Sequence, residues 1–415
     1  MAEAILALGI PCGLALLLQR LWAGRLGRLL AVGDEVDYIQ RGTADDPFAP
    51  RMFLRVPLLP ALAWLSGRSS MPETVLRGLS EIAATGTVLV VSITLWITTG
   101  PVFALIAGSL FAVIPSRLIF ARRIWPDVYL GFFLACILLL FASSGLDSGL
   151  SALLAGVICM FAFLMRFDAL LLSPAVLSVA PVANNPLIAA SILGPTILAG
   201  LCWAIFNKCR YGIFLPDNTW SFNLIVSRRE ARYSGDGSVA VESTIRGAVR
   251  EWQNGDLRSR SFAGLQELYR HPSEILSGGL KRLLAALGPD SFARQRLLPP
   301  EAHGYESSDP GTVKAFRRLL IYEFPLIAGI TFSIVLLGGV STAFLVPTMG
   351  LAVGNLLMTR TRYRQAWLPG IIIVAGTSFD RLASDPPGAT GIAAASLVTL
   401  TVMVVLSRFR SRVET

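Results

Sequence analysis

The stretch GDEVDYIQRG, residues 33–42, sets Asp34, Asp37 and Tyr38 three and four residues apart. On a helix those three share a face, and Glu35 points elsewhere. A carboxylate in that setting can serve as general base for a hydroxyl. It can equally cap the helix, because acids favour a helix N-terminus and accept its orphan N–H groups. Three more places gather charge beside apolar runs. FLRVPLLPALAWL, 53–65, carries Arg55 ahead of Pro57 and Pro60; ARRIWPD, 121–127, puts Arg122, Arg123 and Asp127 before an apolar run. RTRYRQAWLPG, 360–370, crowds Arg360, Arg362 and Arg364 into one short link. Carboxylates and guanidinium groups together suit transfer of a group away from a phosphate. The acid takes the acceptor's proton and the arginines stabilise the departing phosphate. Two carboxylates, here Asp34 and Asp127, could alternatively share a divalent ion such as Mg²⁺ or Mn²⁺ with that phosphate.

The elements that must position these residues are membrane spans. Of 415 residues, 53% are hydrophobic and only 15% charged, and the mean hydropathy is +0.62. Soluble domains carry about a quarter charged residues, so the composition is that of an integral membrane protein. Apolar runs near 4–20, 77–98, 101–120, 128–145, 149–165, 167–182 and 186–206 come first. Others follow near 319–340, 342–359, 367–383 and 388–407. The expected fold is an all-α polytopic bundle of about eleven spans. Arg166 and Asp168 interrupt the stretch 149–182. The first twenty residues lack a basic leader and a small-residue cleavage site, and read as a retained span. Pro57 and Pro60 should keep 53–65 from spanning, as a re-entrant or surface segment. Five cysteines lie in or beside apolar runs without metal spacing, and two histidines exclude a multi-histidine site.

Three regions follow: a transmembrane module over 1–206, an extramembrane segment over 207–318 and C-terminal spans over 319–415. The middle segment is expected to be small and mixed, with YSGDGS and PDN turns and helices at ESTIRGAVREWQ and HPSEILSGGLKRLLAALG. Leucines and isoleucine at helical spacing with Lys281 and Arg282 among them suit a helix on the membrane surface, or a small cap over the spans. Alternating spans put the 21–76 loop, both arginine links, MRFD and the middle segment on one face. The other face receives only tight links such as TTGP, LDSG and ANNP. The positive-inside rule alone would make the loaded face cytoplasmic. A net charge of +9 suits an anionic lipid surface or a phosphate-bearing substrate. Nucleic acid is not an expected partner.

In order along the chain these motifs resemble those of the GT-C superfamily of membrane glycosyltransferases, especially bacterial relatives of protein mannosyltransferases and aminoarabinose transferases. GDEVDY looks like the acidic first-loop motif of that family, and VPLLPAL, 56–62, like its proline-rich segment. RRIWPD, 122–127, is similar to the R-x-x-P-acid second loop, Arg166 to the arginine after the fifth span, and RYRQAWLP, 362–369, to a late R-Y-R motif. HPSEILSGGLKRLLAALG, 271–288, is similar to a family helix that opens on His-Pro. The resemblance implies that Asp34 is the catalytic base and that Asp127 supports it or a metal. It gives Arg55, Arg362 and Arg364 the lipid phosphate, with Asp37, Tyr38, Arg122, Arg123 and Arg166 in support. The family's acid–lysine pair before the proline segment is replaced here by Leu54-Arg55-Val56. By family topology the loaded face lies outside the cytoplasm, in bacteria on the periplasmic side of the inner membrane.

The function expected is transfer of a sugar from a polyprenyl-phosphate donor to an envelope glycan, lipid or protein acceptor. The one candidate cofactor is a divalent cation, Mg²⁺ or Mn²⁺, as an alternative to a metal-free site. An envelope glycan polymerase or ligase would instead place its chemistry in the late loop and leave GDEVDY as a cap. A lipid or solute transporter is the weakest reading, since no pair of broken helices in related halves is evident. Glu81 and Glu323 are the nearest to buried carboxylates.

Overall fold

The computed structural model describes residues 2–26, 31, 34–180, 185–232, 247, 249–250, 252, 254–278, 323, 341–354 and 364–384. Among these residues the secondary structure is helical, with no strand. The described part of the middle segment is therefore helical rather than mixed. Its helices α11 (Thr219–Arg232) and α12 (Leu257–Arg270) pack side by side. The expected helices at 242–253 and 271–288 are described only in part.

Proline sets many helix starts. α4 (Pro72–Thr99), α5 (Pro101–Val113), α6 (Pro115–Phe120), α7 (Pro126–Ser144) and α10 (Pro186–Tyr211) all begin on proline. At the first helical position the missing N–H has no partner to lose, and φ is already helical. The preceding residue is driven out of the α region, as Trp125 (φ −127, ψ 142) shows before Pro126. α8 (Gly149–Met165) starts on a capping box between Ser148 and Ser151.

α1 (Ile10–Leu26) is preceded by one π turn over Ile5–Gly9. Among the described residues four stretches are long and apolar enough to cross a membrane: Ile5–Trp22, Pro72–Thr99, Pro126–Ser144 and Pro186–Tyr211. Shorter apolar helices lie at Pro101–Val113, Gly149–Met165, Phe167–Val179, Thr342–Val353 and Gln365–Ser378. The run expected as one span at 101–120 is broken at Ile114–Pro115, and that at 167–182 opens with a 3₁₀ turn, Phe167–Leu171, before α9 (Leu172–Val179). An eleven-span count is thus not what the described helices give by length. The spans expected at 388–407 and, apart from Glu323, at 319–340 lie outside the described residues. The apolar surface is nevertheless large: Leu187, Ile82 and Leu150 are each at least 69% exposed. Such a surface on long apolar helices is one for lipid to cover, and the chain is an integral membrane protein.

The core is built around α4 and α7. α4 packs on α5, α7 and α14 (Arg364–Ser384), while α14 also packs on α13 (Thr342–Gly354), and α8 lies along α10. Val88, Val91, Leu95, Leu130, Leu134 and Leu138 are fully buried in this seam.

Two short helices lie over it. α2 (Asp34–Gly42) and α3 (Leu58–Ser66) touch one another at their C-terminal ends. Pro57 caps α3 and Pro60 is its third residue, where a missing N–H again loses nothing, so these prolines start a helix rather than only break one. With nine residues it is too short to span. A Cβ on Gly67 would stand 1.8 Å from the Gly42 carbonyl oxygen, so only glycine allows this crossing. Gly67→Ala is expected to cost about 1–3 kcal/mol, read as a lower unfolding midpoint of the purified protein. An unchanged midpoint would show that α2 and α3 can separate without loss.

Candidate functional site

Helix α2 turns two faces to two different partners. Asp34, Asp37 and Tyr38 all meet Arg55, as their spacing predicts. Arg55 Nη2 donates to Asp34 Oδ1 (2.9 Å), Nε to Asp37 Oδ2 (3.0 Å) and Nη1 to the Tyr38 hydroxyl (3.2 Å). Its guanidinium also lies 5.0 Å from the Tyr38 ring centroid and 5.1 Å from that of Phe53. Burial works against the charge on Arg55, but Tyr38, Asp34, Asp37 and Asp217 outweigh it and hold its titration well above the usual arginine range. Burial likewise pushes the Tyr38 phenol up to about 12, so it stays a neutral hydroxyl at physiological pH.

The opposite face carries Glu35, which is fully buried. Its carboxylate accepts from Arg123 Nη1 (2.8 Å), Arg77 Nη1 (3.3 Å) and the Ile124 N–H (2.9 Å). Arg77 is held further by Glu73 (2.7 Å) and the Arg122 carbonyl (2.9 Å). Arg122 itself pairs with Glu81 at 2.7 Å. One carboxylate thus joins the helix bearing Asp34 to the turn that leads into Asp127. The spacing gave Glu35's direction; neither guanidinium partner was foreseen.

Asp127 lies in the first turn of α7 and is 1% exposed. Arg166, just past the end of α8, clamps it at 2.5 Å and holds Asp168 at 2.9 Å. Three links far apart in sequence, 34–42, 122–127 and 166–168, therefore meet at one end of the bundle.

The segment 52–56 that presents Arg55 has its own frame. The Leu54 N–H donates to Asn218 Oδ1 (2.9 Å), and the Asn218 N–H returns a bond to the Leu54 carbonyl (3.1 Å). The Val56 N–H donates to Asp217 Oδ2 (3.3 Å), Trp203 Nε1 to the Arg55 carbonyl (3.2 Å), and Trp252 Nε1 to the Met52 carbonyl (2.9 Å). Buried Arg41 reaches the carbonyls of Pro47 (2.7 Å), Ala49 (3.1 Å) and Phe53 (3.3 Å) and the Asp37 carboxylate (3.1 Å). The start of the 207–318 segment is therefore bound to the first loop. The PDN turn signal marked the place of Asp217 and Asn218, but nothing in the sequence paired them with residues more than 160 positions away.

Asp34 retains 26% side-chain exposure, against 2% for Asp127. Of the two, Asp34 is the one open to solvent. Among the described residues no three His, Cys, Asp or Glu side chains stand together as a metal site. Asp34 and Asp127 are tied to different arginines, so no step through a shared ion is derived. Glu323 is buried and accepts from the Ser116 N–H (2.8 Å) and hydroxyl. Arg360 and Arg362 lie outside the described residues, as does the side chain of Arg364, whose backbone opens α14.

Two outcomes test this geometry. Glu35→Gln takes the charge of Glu35 from buried Arg123, while Arg77 keeps Glu73, a loss of about 3–5 kcal/mol by the cost of breaking a buried pair. The thermal midpoint should fall accordingly, and Glu35→Gln combined with Arg123→Met should lose less than the sum. Full additivity would deny the coupling. Burial pushes the Asp217 carboxyl up, against the Thr219 hydrogen bonds and Arg55. The unfolded chain then releases that proton at lower pH than the folded one, so Asp217 costs stability increasingly as pH rises through its folded value. Asp217→Asn, which keeps an acceptor for Val56, should match wild type at low pH and gain on it toward neutrality. A gap that does not vary between about pH 4 and 7 would refute this, since the ordinary carboxyl range near 4 bounds the window.

No protein-family model matches the chain, and no curated protein matches it. Among solved structures, the chain is similar to an Archaeoglobus fulgidus oligosaccharyltransferase complexed with zinc and sulfate. The TM-score is 0.46 at 15% identity, over 96% of this chain and 52% of that one. The same enzyme tethered to an acceptor peptide containing the NVT sequon gives a TM-score of 0.43 at 14% identity, over 96% and 54% of the two chains. The chain spans about half the length of these structures, and likeness at this level assigns neither fold nor activity.

Proposed function

We propose that the chain is a membrane glycosyltransferase of GT-C type that moves a sugar from a polyprenyl-phosphate donor to an envelope glycan, lipid or protein acceptor. The observation that carries this reading is the arrangement of Asp34: a quarter exposed, at the bundle end where the loops meet, and held by the partly buried Arg55. The ordered motifs from GDEVDY to RYRQAWLP support it as a resemblance.

In this reading Asp34 takes the proton of an acceptor hydroxyl as its oxygen attacks the anomeric carbon. The bond from that carbon to the lipid phosphate breaks, and the phosphate leaves with the electron pair. Arg55 orients Asp34 by a charge-assisted hydrogen bond, while Asp37 and Tyr38 fix Arg55. Asp127 and Arg166 support the neighbouring wall, with Arg122 and Arg123 tying the second loop. The phosphate is assigned to Arg55, Arg360, Arg362 and Arg364. The face is taken as extracytoplasmic, in a bacterial inner membrane, and the 207–318 segment covers the site and contributes to acceptor choice.

Asp34→Asn keeps the size and one acceptor oxygen but removes the base. At matched membrane abundance it should lose the same glycan modification as a deletion, by mass spectrometry of envelope glycans and lipid-linked sugars, with activity down at least about 100-fold. A wild-type glycan profile in that variant would reduce GDEVDY to a helix cap and reject the reading.

A further inference from the structure

Most arginines at the loaded end are neutralised. Arg41, Arg55, Arg77, Arg122, Arg123 and Arg166 each lie within ion-pair distance of a carboxylate. Arg117, in α6, differs. It is 4% exposed, and its two terminal nitrogens donate only to carbonyls, Nη1 to Ala112 (3.1 Å) and Nη2 to Ala84 (2.9 Å). Among the described residues its Nε is buried with no hydrogen-bond partner, and the one titratable neighbour acting on its charge is the Cys12 thiol. The Phe111 ring, 5.4 Å away, offers a face but no charge.

An arginine cannot shed its proton to escape burial. Burying a charge is costly unless it is paired and hydrogen-bonded. Ionisable side chains within the bilayer pair with one another or with backbone carbonyls and are functional-site candidates by default. Arg117 has the carbonyls but no carboxylate within ion-pair distance among the described residues. Arg117 lines a small, partly open cavity with Thr87, Phe111, Gly131, Gln365 and Pro369. The cavity leaves about 20 Å³ for water-sized groups, room for one oxygen atom. Gln365 stands there through its bond to the Ser116 hydroxyl (2.7 Å), one residue from Arg117. α6 ends at Phe120, so Arg117 lies about one helical turn from the link that follows it.

We propose that Arg117 is an oxyanion site that receives one phosphate oxygen, carried by a membrane lipid headgroup or by free phosphate. The carbonyl bonds aim the guanidinium, its Nε and charge supply the attraction, and Gln365 and Thr87 form the polar wall. The site stands apart from Asp34 and does not depend on the transferase reading.

The test uses the full purified chain in a neutral detergent, with thermal shift and native mass spectrometry as readouts. The probes are phosphatidic acid, the matching diacylglycerol, inorganic phosphate and chloride. Phosphatidic acid should stabilise wild type where diacylglycerol does not, and Arg117→Gln should weaken its binding at least about tenfold, with part regained in Arg117→Lys. Inorganic phosphate reproducing the shift would uphold the site and name the free ion as its source. Chloride doing so equally well would overturn the phosphate assignment. An equal loss in Arg258→Gln, on the exposed face of α12, would put general surface attraction in its place and overturn it too. Should Arg117→Gln fail to fold, wild type decides: no discrimination between phosphatidic acid and diacylglycerol ends the proposal.

Discussion

A single buried carboxylate ties the loaded end of the bundle together. Glu35 is inaccessible to water and accepts from two guanidinium groups and a backbone N–H. Two of those three donors belong to the link before α7. The helix that presents Asp34 and the turn that presents Asp127 are therefore not independent. Their relative position is set by charge-assisted bonds in a low-dielectric interior, where such bonds are strong when satisfied and costly when broken. Arg77, in α4, extends the same constraint into the longest helix of the core, so the loops are referenced to the bundle.

Arg55 is the second fixed point, and its precision comes from the backbone around it. From Met52 to Val56 the main-chain groups are taken up by side chains from α10, by the 217–218 turn and by Trp252. A segment without regular structure normally has many conformations to lose. Here its hydrogen bonds are made with distant parts of the chain, and Arg55 is held as firmly as a residue on a helix. The consequence is electrostatic: an acid cluster that would repel itself is organised around one cation.

Much of this was legible in the sequence, and the reasons for the rest are physical. Apolar runs located α4, α7, α8 and α10 to within a few residues outside their polar ends, because transfer into lipid depends on composition alone. The three-and-four spacing placed Asp34, Asp37 and Tyr38 on one face, a local property of any helix. The break at Ile114–Pro115 was hidden inside an apolar run that reads as continuous. Arginine roles were the least readable. A run of Arg122 and Arg123 looks like an anion site in sequence, yet each finds its own acid, Glu81 and Glu35, through tertiary contact. Pairing across more than 160 residues, as between Leu54 and Asn218, leaves no periodic trace at all.

The junction between α4 and α5 has a consequence for how the protein sits in its membrane. Gly100 is the whole of the connection, with φ at +87°, and its neighbours on both sides are already helical. α5 has only 13 residues, short of the roughly 20 that cross a bilayer unaided. A one-residue link keeps the two helix ends side by side, so the short helix depends on the long one for its place in the lipid.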